Sequence, residues 1–290
     1  MMKRISLVII SILVGAVWAE EPVNFADPVL KAAVEEALFI LDPTPSDMLG
    51  LISLEFTGTT FNPKPDDVIH SLAGLEYALN LQSLSLRLNR IEDISPLAGL
   101  TNLRYLDLSQ NDLIKDMSPV ADLTQLRHLD LHGNSIRDIS AVSGLTQLDT
   151  LLLRWNSIHS IVPITGLGGL EHLDLRGNYI KDVSPLAGLQ NLNDLNLHDN
   201  QITEITDLLA LRKLDELVLT WNKLNNDAYD HDLGAMVNSN PGMTLLYDPN
   251  PMAPEGISAT DGTLSDAIQV SWQRVAQWTE LYDLLSYLSI

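Results

Sequence analysis

Two histidines four residues apart, in the stretch HLDLH from His128 to His132, have the residue types of a metal site. The backbone that must carry them decides against it. Leu129 and Leu131 alternate with polar residues, the mark of a short strand with one buried face. On a strand, residues four apart stand about 13 Å apart at roughly 3.3 Å per residue, whereas zinc ligands gather within about 2 Å of the ion. His172 is the matching residue two phrases further on and would stand about 10 Å from His128, so no metal and no cofactor is expected. Other chemistry is equally poorly supplied. The chain has no cysteine, which removes thiolate nucleophiles, thiolate metal ligands and disulfides together. It has no G-x-S-x-G, no P-loop, no H-E-x-x-H and no dinucleotide fingerprint, and an enzyme is not expected.

The segments around these histidines repeat. Asn89, Asn111, Asn134, Asn156, Asn178, Asn200 and Asn222 follow one another at spacings of 22, 23, 22, 22, 22 and 22 residues. Each closes a phrase of the form L-x-x-L-x-L-x-x-N-x-[LI], such as LRHLDLHGNSI from Leu126 to Ile136. A fixed period of this size over seven units is the signature of a solenoid. One strand cannot bury its leucines alone, but stacked phrases form a parallel sheet over a continuous core. The asparagines, at the turn out of each strand, are expected to form a buried structural ladder that satisfies backbone groups of adjoining turns. In the return half, DISPLAGL offers Ser95 as a cap, Pro96 for the first turn and Gly99 to end it with positive φ. Asp93, Asp138 and Asp182 read as local capping or turn residues. The extra residue of the 23-residue spacing is expected to bulge on the outer face, within Leu113 to Val120.

On these motifs, and on the phrase DISPLAGLTNLRYLDLSQN from Asp93 to Asn111, the chain resembles bacterial leucine-rich-repeat proteins of the 22-residue, internalin-like type. The resemblance implies an α/β solenoid: a curved right-handed coil with a parallel sheet on its concave face, short helical turns on its convex face and helical caps. It also implies recognition of a protein at a cell surface, without carrying over any particular receptor.

The ends read as covers and appendages. MMKRISLVIISILVGAVWAEEP opens with Lys3 and Arg4, runs apolar for 13 residues from Ile5 to Val17 and offers small residues before Glu20. That is the layout of a signal peptide cut after Ala19, and 13 residues fall short of the roughly 20 a bilayer needs. Residues 20–50 form the N-terminal cap, with Asp27, Pro28 and a stripe of Leu30, Val34, Ala37, Leu38 and Leu41. The repeats occupy 51–224, opening on a degenerate strand LISLEF and an irregular insertion at 57–67. A C-terminal cap occupies 225–247, with a helix stopped at Asn240-Pro241-Gly242 and a last strand MTLLY. Residues 248–254 read as a linker, and 255–290 as the incomplete start of a fibronectin type III-like domain or an irregular tail.

Alternation along each strand leaves its outward residues free to vary, and these are the candidate binding residues. They are Tyr105, Asp107, His128, Asp130, His132, Leu152, Arg154, Trp155, His172, Asp174, Arg176, Asp194, His198 and Trp221, with Arg87 and Glu216 on the same face. Seven strands at about 4.8 Å make a face roughly 30 Å long, the scale of a protein or polymer ligand. Trp155 and Trp221 are its natural anchors. Acidic residues outnumber basic ones 38 to 17, for a net charge of −21, which disfavours nucleic acid and anionic membrane as partners. The expectation is a secreted or surface-exposed monomer that binds a protein through this face, in adhesion or recognition. A carbohydrate-binding module and a structural spacer of a larger surface protein are the alternatives.

Overall fold

The computed structural model describes residues 20–59 and 67–249. The signal peptide and the fibronectin-like tail lie outside these residues, as does most of the 57–67 insertion. Nine strands, β1 (Ser53–Glu55), β2 (Ser83–Ser85), β3 (Tyr105–Asp107), β4 (His128–Asp130), β5 (Thr150–Leu152), β6 (His172–Asp174), β7 (Asp194–Asn196), β8 (Glu216–Val218) and β9 (Thr244–Leu246), make one sheet. Their spatial order is their chain order, and every neighbouring pair is parallel. The pairing aligns Leu84, Leu106, Leu129, Leu151, Leu173, Leu195 and Leu217 in one inward row. All seven are buried. A slip of one residue would turn that whole row to solvent, so the leucine spacing itself fixes the register.

The return half is a short 3-10 turn in each coil, for example at Ser95–Leu97, Ser118–Val120, Ser140–Gly144 and Ser184–Gly188. Here the structure corrects the expected cap. Ser95 makes no side-chain capping bond. The aspartate two residues earlier does the work: Asp93, Asp116, Asp138 and Asp182 each accept the N–H of the following turn's serine at 2.8–2.9 Å. The carboxylate thereby satisfies one of the donors that a turn start leaves open. Gly99 is not in the left-handed region.

The asparagines form the ladder that the repeat predicts. Asn178 Nδ2 donates to the carbonyls of Leu153 and Leu175 at 3.0 Å and of Arg176 at 3.3 Å, while its Oδ1 accepts the N–H of Ile158 at 3.0 Å. Asn111, Asn156, Asn200 and Asn222 repeat the arrangement. Asn134 breaks it: its Oδ1 is buried without a partner. The cause is the extra residue, which falls directly after Asn111, at Asp112 (φ 59°) and Leu113, and not in the return turn. That insertion withdraws the N–H of Ile114, the equivalent of Ile158, from reach of the next asparagine.

The caps close the core at both ends. Helix α1 (Pro28–Leu38) starts at Asp27, whose Oδ1 accepts the N–H groups of Val29 and Leu30. Its Oδ2 accepts those of His70 and Ser71, tying the helix to the first coil. Leu30 and Val34 are buried. The helix ends at Phe39 in a left-handed conformation, so Leu41, expected in the buried stripe, is 81 % exposed. Helix α2 (Pro45–Met48) follows, with Thr44 and Asp47 bonding each other's backbone N–H. At the far end, a π turn at Ala228–Asp232 leads into α3 (Leu233–Ser239). Asn240 then accepts the N–H of Leu214 and donates to Leu211, continuing the ladder into the cap. Among the described residues, no helix is long and apolar enough to cross a membrane.

Candidate functional site: the open face of the sheet

The strand register sets the predicted binding residues in rows across the open face. Tyr105, His128, Thr150, His172, Asp194 and Glu216 form one row, and Asp107, Asp130, Leu152, Asp174, Asn196 and Val218 the next. In the first row the Tyr105 and His128 rings stack at 4.5 Å between centroids, and His172 Nδ1 lies 2.5 Å from Asp194 Oδ2. Burial pushes the Tyr105 phenol up, helped by the neighbouring Asp107 and Asp130 carboxylates. His128 and His132 do not converge on a common point, and no group of metal-ligating side chains occurs among the described residues.

The second row is less free than alternation implies. Asp107 accepts the N–H of Ser109, Asp130 that of His132, Asp174 that of Arg176 and Asn196 that of His198, each two residues on. Asp107, Asp130 and His132 are all less than a tenth exposed. These carboxylates hold the chain as it leaves the strand. They shape the face more than they offer it charge, a local role that a bare alternation pattern does not reveal. Burial raises the Asp174 carboxyl above the usual carboxylate range, against the opposing pull of Arg176 and Arg154.

Beyond the strand ends, the residue preceding each ladder asparagine is left-handed in all seven coils: Leu88, Gln110, Gly133, Trp155, Gly177, Asp199 and Trp221, with φ of 52–64°. Glycine adopts this conformation freely, and a bulky side chain is held there at a cost of order 1–3 kcal/mol. Trp155 and Trp221 take it nonetheless and remain 41 % and 50 % exposed. The Trp155 ring lies over Gly177 of the next coil, so closely that a Cβ there would stand 2.3 Å from Trp155 Cε3. Trp221 leans on the His198 ring at 5.3 Å between centroids. Gly177 is therefore required twice, for its backbone conformation and for the ring above it.

Between β5 and β8 the face sinks into an open depression of about 200 Å³, with Leu152, His172, Asp174, Asp194, Asn196 and Glu216 on its walls. It is smaller than the roughly 300–1,000 Å³ of small-molecule sites and has the scale of a single side chain.

Comparison with known proteins agrees with this geometry. Models described as leucine-rich repeats match residues 79–122 and 168–210, each as two copies, and residues 125–145 as one. Internalin C2 of Listeria monocytogenes is 29 % identical, with a TM-score of 0.69, over 79 % of this chain and 98 % of that one. A leucine-rich-repeat protein of Leptospira interrogans is 26 % identical, with a TM-score of 0.54, over 61 % of this chain and 48 % of that one. The leucine-rich-repeat ectodomain of an Arabidopsis thaliana receptor kinase shares the fold at 22 % identity and a TM-score of 0.51, over 62 % of this chain and 23 % of that one. No curated protein matches the chain.

Proposed function

Because the chain is an internalin-like leucine-rich-repeat protein, we propose that it is an exported recognition protein whose open sheet face docks a protein partner. The scaffold is one that serves protein–protein recognition, and the finer reading rests on this chain's own residues. One observation carries it. Trp155 and Trp221 stand half exposed, in a backbone conformation that glycine occupies in two equivalent coils. The other non-glycine residues at that place are Leu88, Gln110 and Asp199, so the two tryptophans are its only aromatics among the seven coils. Large aromatics left half exposed at conformational cost are what a binding anchor requires.

The remaining parts follow from these anchors. Leu152, on the strand that leads to Trp155, lines the depression, and Tyr105 with His128 extends the aromatic surface toward the N-terminal coils. Ordered coils with a continuous leucine core keep these side chains in fixed relation, so a partner loses little entropy to ordering them. The leader at 1–19 would deliver the protein outside the cell, where such a partner is met.

Selection of a displayed library of protein fragments against the full chain tests the reading. Binders are expected to lose at least tenfold in affinity to Trp155→Ala and to Trp221→Ala. Binders indifferent to both substitutions would refute it. A glycan array with the same variants separates the carbohydrate alternative, which predicts sugar ligands and no fragment binders.

A further inference from the structure

The residues two places before the ladder asparagines leave the strands on the open face. In chain order they are Arg87, Ser109, His132, Arg154, Arg176, His198 and Thr220. Five of the seven carry an arginine fork or an imidazole, in a chain where acidic residues outnumber basic ones 38 to 17. We propose that this row is a carboxylate-binding stripe, centred on Arg154 and Arg176, that takes an acidic segment of the protein partner. The proposal rests on the reading of the face as a protein-docking surface and adds the chemistry of what docks.

The centre of the stripe is short of negative charge. Arg154 Nη1 and Arg176 Nε lie 3.6 and 3.3 Å from the same oxygen, Oδ2 of Asp174. The other oxygen of Asp174 is occupied by the backbone N–H of Arg176 at 3.1 Å. Arg176 Nε is buried, and at that angle it makes no hydrogen bond; Arg87 Nε, at the other end of the stripe, is likewise buried without a partner. The next carboxylate along, Asp130, takes both the His132 ring at 2.8 Å and the His132 backbone N–H at 3.0 Å on Oδ1, and acts on Arg154 only through its charge. Arg154 reaches only His132 Nε2 beyond Asp174, at 3.4 Å. Its guanidinium is held below the ordinary arginine range, first by burial and then by the Arg176 cation beside it.

Two partly desolvated forks that share one carboxylate keep N–H donors for a second, and a planar carboxylate suits them in bidentate geometry. Coils stack about 4.8 Å apart, so Arg154 and Arg176 are one step apart and Arg87 to Arg176 spans roughly 19 Å. That length suits an extended segment better than an isolated ion. Trp155, which follows Arg154 in the chain, lies over Gly177, which follows Arg176, so an anchor ring borders the pair. The chain's own net charge of −21 disfavours long polyanions, which leaves a short acidic stretch on an otherwise complementary protein as the fitting occupant.

Acetylated pentaglutamate, titrated into the full chain at low salt and followed by calorimetry, is the direct probe. Saturable one-site binding is expected, weakened at least tenfold by Arg154→Gln with Arg176→Gln. The paired Arg137→Gln with Lys181→Gln, which removes the same charge from exposed sites off the stripe, should change it less than twofold. Arg176→Gln alone should weaken binding severalfold. Its Nε makes no hydrogen bond, and circular dichroism of the variant shows whether losing the ion pair with Asp174 leaves the fold intact. Absence of saturable binding, or equal loss in the stripe and control pairs, would overturn the proposal. A partner that needs Trp155 and Trp221 but is indifferent to both arginines would sink the stripe and leave the docking face standing.

Discussion

The two asparagines Asn178 and Asn134 occupy equivalent places in the ladder, yet replacing each with alanine should cost different amounts. Asn178→Ala removes three donated bonds, to Leu153, Leu175 and Arg176, and orphans the buried N–H of Ile158. At about 1 kcal/mol net for each donated bond, and about 1–3 kcal/mol for the stranded donor, the loss is roughly 4–6 kcal/mol. Asn134→Ala also removes three donated bonds, to Leu108, Leu131 and His132. It strands no N–H, because Asn134 Oδ1 accepts none, and it deletes that unsatisfied buried oxygen. The difference should be about 2 kcal/mol in favour of Asn134→Ala, or about 4–8 °C in Tm for a chain of this size. Both substitutions leave similar voids, so the comparison cancels the cavity contribution. Urea unfolding followed by circular dichroism gives both values, and equal slopes would show that the same structure is unfolding. If Asn134→Ala proves as damaging as Asn178→Ala, the ladder is not what distinguishes these sites, and the reasoning fails.

Deletion of Leu113, which restores the 22-residue spacing, should bring the Ile114 N–H within reach of Asn134 and raise stability by about 1 kcal/mol, measured by the same unfolding curves. Gly177→Ala should destabilise by about 1–3 kcal/mol and shift the Trp155 fluorescence, because the new Cβ meets both a left-handed backbone and the ring. Gly144→Ala, whose Cβ would have its nearest neighbour at 3.8 Å, is the matched neutral control. The Asp116 carboxyl is held below its usual range by the Ser118 backbone N–H, and that of Asp182 by its bonds to Ser184, side chain first. A depressed folded pKa stabilises above the ordinary carboxylate pKa and loses that effect as pH falls through the folded value. The stability gap between wild type and Asp116→Ala with Asp182→Ala should therefore be widest near neutrality and close in acid, as thermal unfolding across pH would show. Trp221→Gly should leave stability within about 1 kcal/mol, since glycine relieves the left-handed backbone while an exposed ring is lost, yet it should weaken partner binding at least tenfold.

The fold was legible because burial and spacing are one constraint in a solenoid. Each coil must present leucines at the same places, and the asparagine spacing of 22 residues repeats that demand down to the register of β2 to β8. The two cap strands, β1 and β9, could be read from LISLEF and MTLLY for the same reason. Features that depend on the exact path of the backbone were not legible. Asp93 and Ser95 both read as caps of the return turn, and only their geometry shows that Asp93 fills that role while Ser95, the turn's first residue, does not. Alternation placed Asp107, Asp130 and Asp174 on the open face correctly but gave no sign that each bonds the backbone two residues on. The left-handed place before each asparagine has only a faint sequence signal, glycine at 133 and 177, because Leu88, Gln110, Trp155, Asp199 and Trp221 take the same conformation.

The proposed docking site is the variable face, with its two left-handed tryptophans as anchors. Fluorine NMR of fluorotryptophan-labelled protein, titrated with a fragment recovered from the display selection, tests it most directly. The chain has five tryptophans, and substitution assigns each resonance. Those of Trp155 and Trp221 should shift together and saturate at a stoichiometry of one partner per chain, while Trp272 and Trp278 in the tail stay where they are. Saturable binding that leaves Trp155 and Trp221 unmoved would place the partner elsewhere and contradict the account.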